Sequence, residues 1–226
     1  MEDELYKFPS TPHVFHHPNL RGDKIISDNE RSLFSTRKTV IEEKIDGANL
    51  GISFNANADL ILQNRGSFLY PPFNGQWKYI PDWLAVNQDK IFDCIRDQYI
   101  IFGEWCYAKH SIYYNSLPDY YLVFDVFDKK RHAFLPYEKR NKIISGINLH
   151  CVPFLGEGIF EANKLMSFIR KSKFSDETAE GIYLRIESTE AVDFRSKIVR
   201  PDFTQNITDH WSKRIIKKNK ILTPYS

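Results

Sequence analysis

Two apolar runs constrain this chain most: Tyr99-Ile100-Ile101-Phe102-Gly103-Glu104-Trp105 and Tyr121-Leu122-Val123-Phe124-Asp125-Val126-Phe127. Both read as buried strands. Leu50 to Phe54 and Leu60 to Asn64 flank Asn55-Ala56-Asn57-Ala58-Asp59, a hairpin signal. Further strands are expected at 38–44, at 181–187 and at 197–200, where Pro201 stops the run. Helical spacing runs through Trp83, Leu84, Ile91, Phe92 and Ile95, and helices are also expected at 135–146, 161–171 and 203–218. Strands outnumber helices, so the pattern predicts an α+β fold with antiparallel sheets rather than a parallel doubly wound sheet. There is no Gly-x-Gly-x-x-Gly fingerprint and no Walker-type loop, so any phosphate site uses another device.

No repeat, low-complexity tract or Gly/Ser linker interrupts the 226 residues. They read as a single domain, 1–226, with 203–226 a C-terminal helix and tail. A 42% hydrophobic and 15% aromatic composition supports a substantial core. Net charge is +2, so any nucleic-acid footprint must be local. The densest basic stretch is Lys213, Arg214, Lys217, Lys218 and Lys220, either a phosphate-contacting helix or a solvated face. Cys94, Cys106 and Cys151 form no Cys-x-x-Cys pair, which points to a reducing compartment. No run approaches the roughly 18 apolar residues of a membrane span. The expectation is a soluble, cytoplasmic protein, monomeric and with no membrane partner.

Chemistry enters at Lys44-Ile45-Asp46-Gly47-Ala48-Asn49, directly after the strand-like Thr39-Val40-Ile41-Glu42-Glu43. A lysine ending an apolar strand can be desolvated, lose its proton and act as a nucleophile. The pattern alone is weak, and a charged β-turn is the alternative. Arg65-Gly66 ends the second hairpin arm, where an arginine reaches a phosphate or simply faces solvent. Glu104 ends a buried strand and needs a partner, either a ribose hydroxyl or a structural ion pair. Phe124 offers one face to a base or to the core. Glu180-Gly181 opens a strand with a carboxylate. Arg195 and Lys197 lie two apart on one strand face, and two cations so placed suit a shared anion such as a triphosphate.

In order these elements are Lys-x-Asp-Gly-x-Asn, Arg-Gly, Phe-Gly-Glu, Val-Phe-Asp, Glu-Gly-x-x-x-Arg and two spaced cations. The ordered set resembles the ATP-dependent RNA ligases, covalent nucleotidyltransferases, and in particular their nick-sealing branch, typified by the second RNA ligase of phage T4. The likeness extends over about residues 7–218. Asn49 stands where DNA ligases and capping enzymes usually carry arginine. The lead-in Lys7-Phe8-Pro9-Ser10-Thr11-Pro12-His13 and the segment 102–110 resemble a compact subgroup of the same family.

The resemblance implies a nucleotidyltransferase fold of the ligase catalytic (ATP-grasp-like) type. No oligonucleotide-binding (OB) β-barrel is expected in the short stretch after Lys197. It further implies that Lys44 attacks the α-phosphorus of ATP to form lysyl-AMP. AMP then passes to a 5′-phosphate, and a 3′-hydroxyl displaces it. Nearby Arg65, Arg195 and Lys197 and a bound metal are expected to lower the Lys44 pKa by like-charge repulsion. Glu43, with the backbone around it including Ile45, would read the adenine amino group, and Phe124 would stack on the ring. Arg65 and Glu104 would hold the ribose and phosphate, and Lys197 the α-phosphate, with Arg195 beside it. Asp46 and Glu180 would hold Mg2+ or Mn2+, and Asn49 would join that network. The partners would be RNA ends or a nicked duplex, in a role such as RNA repair. The segment 203–220 would serve as an RNA clamp. DNA or hybrid nick sealing, RNA capping and non-catalytic nucleic-acid binding are the alternatives.

Overall fold

In the computed structural model, residues 5–16, 24–203 and 216–222 are described. Among these described residues ten strands form two sheets, one of four strands and one of six. The chain enters through a short helix α1 (Asp28–Ser32), whose Ser27 and Glu30 make a capping box. Strand β1 (Thr39–Lys44) lies in the middle of the four-stranded sheet, between β8 (Phe154–Gly158) and β9 (Gly181–Glu187), and β10 (Val192–Val199) follows β9.

The other sheet runs β3 (Leu60–Gln63), β2 (Ala48–Phe54), β4 (Tyr99–Trp105), β5 (Tyr121–Asp128) and β6 (Ala133–Phe134). A two-residue β7 (His150–Cys151) joins β5 in parallel; the other strand pairings are antiparallel. The predicted α+β class and its antiparallel sheets are therefore observed. Among the described residues no OB barrel accompanies the two sheets.

Helix α2 (Ile80–Ile95) follows from its spacing: Ile80, Trp83, Leu84, Asn87, Ile91 and Ile95 are buried and fall on one face. The apolar ones among them pack on Leu50, Ile52, Ile101 and Val123 of the six-stranded sheet. Each such side chain contributes about 1.5–3 kcal/mol on burial. Helix α3 (Tyr137–Gly146) adds Ile144 to the same core. A second core of Ile45, Phe102, Phe124 and Phe134 includes Phe8 of the lead-in. A third packs Phe34 and Leu165 against Ile41, Ile182, Leu184 and Ile186 of the four-stranded sheet.

One expectation is corrected, and a second lies mostly outside the described residues. The helix read at 161–171 is a 3-10 segment, Ala162–Phe168, that buries only Leu165. Of the closing helix and RNA clamp expected from 203 onward, residues 204–215, including Lys213 and Arg214, lie outside the described residues. Residues 216–218 are extended rather than helical, and Lys218 bridges Ala108. Among the described residues no helix is long and apolar enough to cross a membrane.

A buried ion network joins the two sheets. Glu42 on β1 meets Arg140 on α3 at 2.6 Å and Arg185 on β9 at 2.6 Å. Arg185 continues to Asp125 on β5 at 3.5 Å, and Arg195 on β10 reaches Asp125 at 3.1 Å. The alternation of a regular strand would put Phe124 and Asp125 on opposite faces. The β4–β5 register slips there instead: Phe102 pairs with Asp125 and Gly103 with Val123, so Phe124 is bulged. Its carbonyl oxygen accepts from Arg140 Nη1 at 2.6 Å and also from Arg185 Nη2. Removing one partner of a buried pair leaves an uncompensated charge, at a cost of about 3–5 kcal/mol. Glu42→Gln is accordingly expected to lower unfolding stability by about that amount in urea titrations at neutral pH. A loss below about 1 kcal/mol would mean that the network is not what holds the sheets together.

Candidate active site

β1 hands its side chains alternately to two faces, and Glu42 and Lys44 share the face turned to the other sheet. Lys44 pairs in register with Gly181, which brings Glu180 alongside. Lys44 Nζ lies 2.8 Å from Glu180 Oε2. No side chain fits at position 181, because a Cβ there would overlap the carbonyl oxygen of Ile198 on β10. Gly47 is confined similarly: a Cβ would stand 3.0 Å from Cys106 Sγ and 3.1 Å from the Trp105 carbonyl oxygen. The two glycines let the Lys44 turn and the Glu180 strand approach their neighbours closely.

From the six-stranded sheet, Asn49 on β2 and Glu104 on β4 face each other in register. Asn49 Oδ1 and Glu104 Oε2 are both buried without a hydrogen-bond partner. Asp46 is held firmly: its Oδ2 accepts from the amides of Ser111 at 2.7 Å and Ile112 at 2.9 Å. Its own amide donates to Tyr114 Oη at 2.7 Å. Half-buried His110 adjoins this group, its Nε2 2.8 Å from Gln76 Oε1. Burial and the nearby Lys44 charge lower its pKa against the opposing pull of Asp46.

The electrostatics reverse one expectation. Burial pulls the Lys44 pKa down, but Glu180, Glu104 and Asp46 outweigh it, and the pKa rises above that of an ordinary lysine. Without nucleotide or metal, Arg65, Arg195 and Lys197 therefore do not bring it below the ordinary value. Burial drives Glu104 up to about 7, with Glu180 and Asp46 adding to the rise and Lys44 opposing it. Glu180 is also raised, by burial, against the opposing pull of Lys44.

The remaining expected residues divide. Lys197 pairs in register with Tyr183 of β9, and its charge acts on Glu180, at the site between the two sheets. Its amide donates to Pro12 and its carbonyl accepts from Val14. Arg65 is exposed in the bend after β3, near enough to Glu104 to lower its pKa. Phe124 is buried, edge-on to Phe8 at 5.3 Å. The Ile45 side chain belongs to the same core.

Two side chains are engaged elsewhere. Glu43 points away from the groove, as alternation demands, and accepts from Ser172 Oγ at 2.5 Å and the Lys173 amide at 3.1 Å. Its carboxylate is therefore not available to read a base. Arg195 shares the strand face of Lys197, but its guanidinium is paired with Asp125 and lies over the Phe134 ring at 3.9 Å. It braces the groove rather than offering a free cation. Glu42, Arg140 and Asn219 were not singled out in the sequence. Charged residues in buried runs were their only signal, and Asn219 had none.

The family model for RNA ligases matches residues 37–199, from the start of β1 to the end of β10. This chain belongs to the RNA ligase family. Similar solved structures agree on the fold. A mutant of Naegleria gruberi RNA ligase with ATP and Mn superposes with a TM-score of 0.62 at 14% identity, covering 86% of this chain and 56% of that one. A second Naegleria gruberi mutant, with AMP and Mn, gives 0.57 at 15%, covering 76% and 52%. An archaeal ATP-dependent RNA ligase gives 0.58 at 18%, covering 87% and 50%. This RNA ligase family chain thus spans about half the length of the solved structures it matches. No curated protein sequence matches it.

The carboxylate cluster predicts a measurable pKa change. Replacing Glu104 by Gln removes an anion beside Lys44 and should lower the lysine pKa. The rate at which Lys44 reacts with an acylating reagent, followed against pH, should then shift to lower pH in the nucleotide-free protein. An unshifted profile would mean that Glu104 does not act on Lys44.

Proposed function

We propose that this chain is the adenylyltransferase unit of an ATP-dependent RNA ligase, with Lys44 as the nucleophile. The observation that supports it most is the Lys44–Glu180 pair, set beside two buried acceptor oxygens that have no donor. A buried acceptor without a partner costs about 1–3 kcal/mol. Ribose hydroxyls, or a hydrated cation, would supply what Glu104 and Asn49 lack.

The donor set suits a hard divalent ion, Mg2+ or Mn2+. Glu180 would hold it, with Asn49 or Glu104 contributing an oxygen. Asp46 has one oxygen already committed to backbone amides. Among the described residues no three His, Cys, Asp or Glu side chains form a ready-made cage. Phosphate and water oxygens would complete the shell, as is usual for Mg2+. Such an ion would supply positive charge that offsets the carboxylates and so weakens the hold on the Lys44 proton.

Lys44 then attacks the α-phosphorus as a neutral amine; the N–P bond forms while the bond to pyrophosphate breaks. Glu180 Oε2, at 2.8 Å, is the atom placed to take the Nζ proton. Lys197 stabilises charge on the α-phosphate, and Arg65 approaches the ribose and phosphates from the groove mouth. Phe124 stacks on adenine, while backbone groups near Ile45, rather than the Glu43 carboxylate, read the base edge. AMP passes next to the 5′-phosphate of an RNA strand, forming an AppN end, and a 3′-hydroxyl displaces it.

Incubation with α-labelled ATP and Mg2+ should label the wild-type chain and leave Lys44→Ala unlabelled. Absence of label on the wild type, or label that survives the substitution, would reject covalent catalysis by Lys44. Labelling by GTP alone would make it a capping enzyme. A panel of nicked RNA, DNA and hybrid duplexes then decides the strand. Phe124→Leu should raise the ATP concentration for half-maximal labelling about tenfold, the loss of one stacked base. An unchanged requirement would remove Phe124 from the nucleotide site.

A further inference from the structure

Residues 217–222 return to the loop between β4 and β5 and lace it along its length. The Lys109 amide donates to Lys217 at 2.7 Å, the Lys220 amide to Tyr114 at 2.9 Å, and the Leu222 amide to Leu117 at 2.9 Å. At the centre is Asn219, only 2% exposed. Its Nδ2 donates to the carbonyls of Cys106 at 2.8 Å and Ala108 at 3.2 Å. Its Oδ1 accepts from the Tyr114 amide at 2.9 Å. Only a carboxamide can give two hydrogen bonds and take one in this socket; a carboxylate would oppose two carbonyls, and an apolar side chain would strand all three groups.

The laced loop is the one that holds the nucleophile's turn. Ser111 and Ile112 supply the amides that fix Asp46, and Tyr114 Oη accepts from the Asp46 amide. Asp46 lies two residues from Lys44. One uninterrupted series of hydrogen bonds therefore runs from Asn219 through Tyr114 to the Lys44 turn.

We infer that Asn219 is a positioning residue for adenylylation: it sets the loop that aims Lys44. The inference rests on the reading of Lys44 as nucleophile. It gives residues 217–222 a role other than that of a basic clamp on RNA. Two of its cations already lie over tyrosine rings, Lys217 over Tyr113 at 4.2 Å and Lys218 over Tyr107 at 5.2 Å.

The test measures the rate of Lys44 labelling at saturating α-labelled ATP, the ATP concentration for half that rate, and the melting temperature. The proteins are the wild type, Asn219→Ala, Tyr114→Phe and the double variant, all assayed at a temperature where each is folded. A small misplacement of a reacting group costs up to about 100-fold. Asn219→Ala should lose about 10- to 100-fold in saturating rate with little change in the ATP requirement. Tyr114→Phe should show the same kind of deficit. The double variant should be no slower than the worse single one, because both act through the same loop on the same turn. If Asn219→Ala does not fold, Tyr114→Phe alone still decides, and a wild-type rate there overturns the inference. Wild-type labelling by folded Asn219→Ala overturns it, as does a double variant whose loss is the product of the two. So does the opposite pattern, in which Lys217→Ala with Lys220→Ala abolishes RNA binding while Asn219→Ala labels normally. An unlabelled wild type would instead remove the reading on which the inference stands.

Discussion

The two sheets are held against each other by a few buried charges. Glu42 and Asp125 are shared by three guanidiniums, Arg140, Arg185 and Arg195, drawn from a helix and two strands. Buried ion pairs seldom stabilise more than well-packed apolar groups would. What this one supplies is position. It ties β1, the strand that carries Lys44, to β5, the strand that carries Phe124, through a carbonyl that the bulge leaves without a ladder partner. An apolar filling would hold the sheets together without fixing one strand against the other. In the proposed reaction that fixed offset sets the distance from the stacked base to the nucleophile.

Above this floor the charge balance changes sign. Lys44 is surrounded by Glu180, Glu104 and Asp46, which hold its proton more tightly than water does. In the proposed reaction the nucleophile is thereby held as an ammonium until cations arrive with the nucleotide. The same carboxylates are poor company for a triphosphate unless cations accompany it. One requirement then serves two ends: the positive charge that makes nucleotide binding tolerable also weakens the field that keeps Nζ protonated. Burial, which already favours the neutral amine, then acts unopposed.

Local features of the site were legible, and long-range ones were not. The strand ending at Lys44, the hairpin after it, and the placement of Glu104 and Glu180 follow from alternation and turn chemistry. Which way a side chain points after an irregularity does not. The bulge at Phe124 brings Asp125 to the groove, and Asp125 then claims Arg195, which the sequence suggested for phosphate. Glu43 shows the converse error. Simple alternation from Lys44 sends it to the far face, where Ser172 and Lys173 take it. Cations stand near Lys44 in the motif order, whereas in space the carboxylates Glu180, Glu104 and Asp46 act on it and keep its pKa high in the absence of a metal. Asn219 left no signal, since its three side-chain bonds span more than 100 residues.

Both ends of the described chain close on the site. The lead-in crosses from the six-stranded sheet, where Gln63 donates to Tyr6, to β10, where Pro12 and Val14 bracket Lys197 in backbone hydrogen bonds. Asn219 and its neighbours do the corresponding work for the Asp46 loop. Lys44 and Lys197, the two lysines assigned to the phosphate, thus sit on strands of one sheet but are steadied by opposite ends of the chain. Strand pairing fixes a backbone to within the play of its hydrogen bonds, and a group that must meet a phosphorus atom in line needs tighter restraint. Side chains and backbone recruited from far along the sequence provide it, because contacts within the sheet alone leave each lysine braced from one side only.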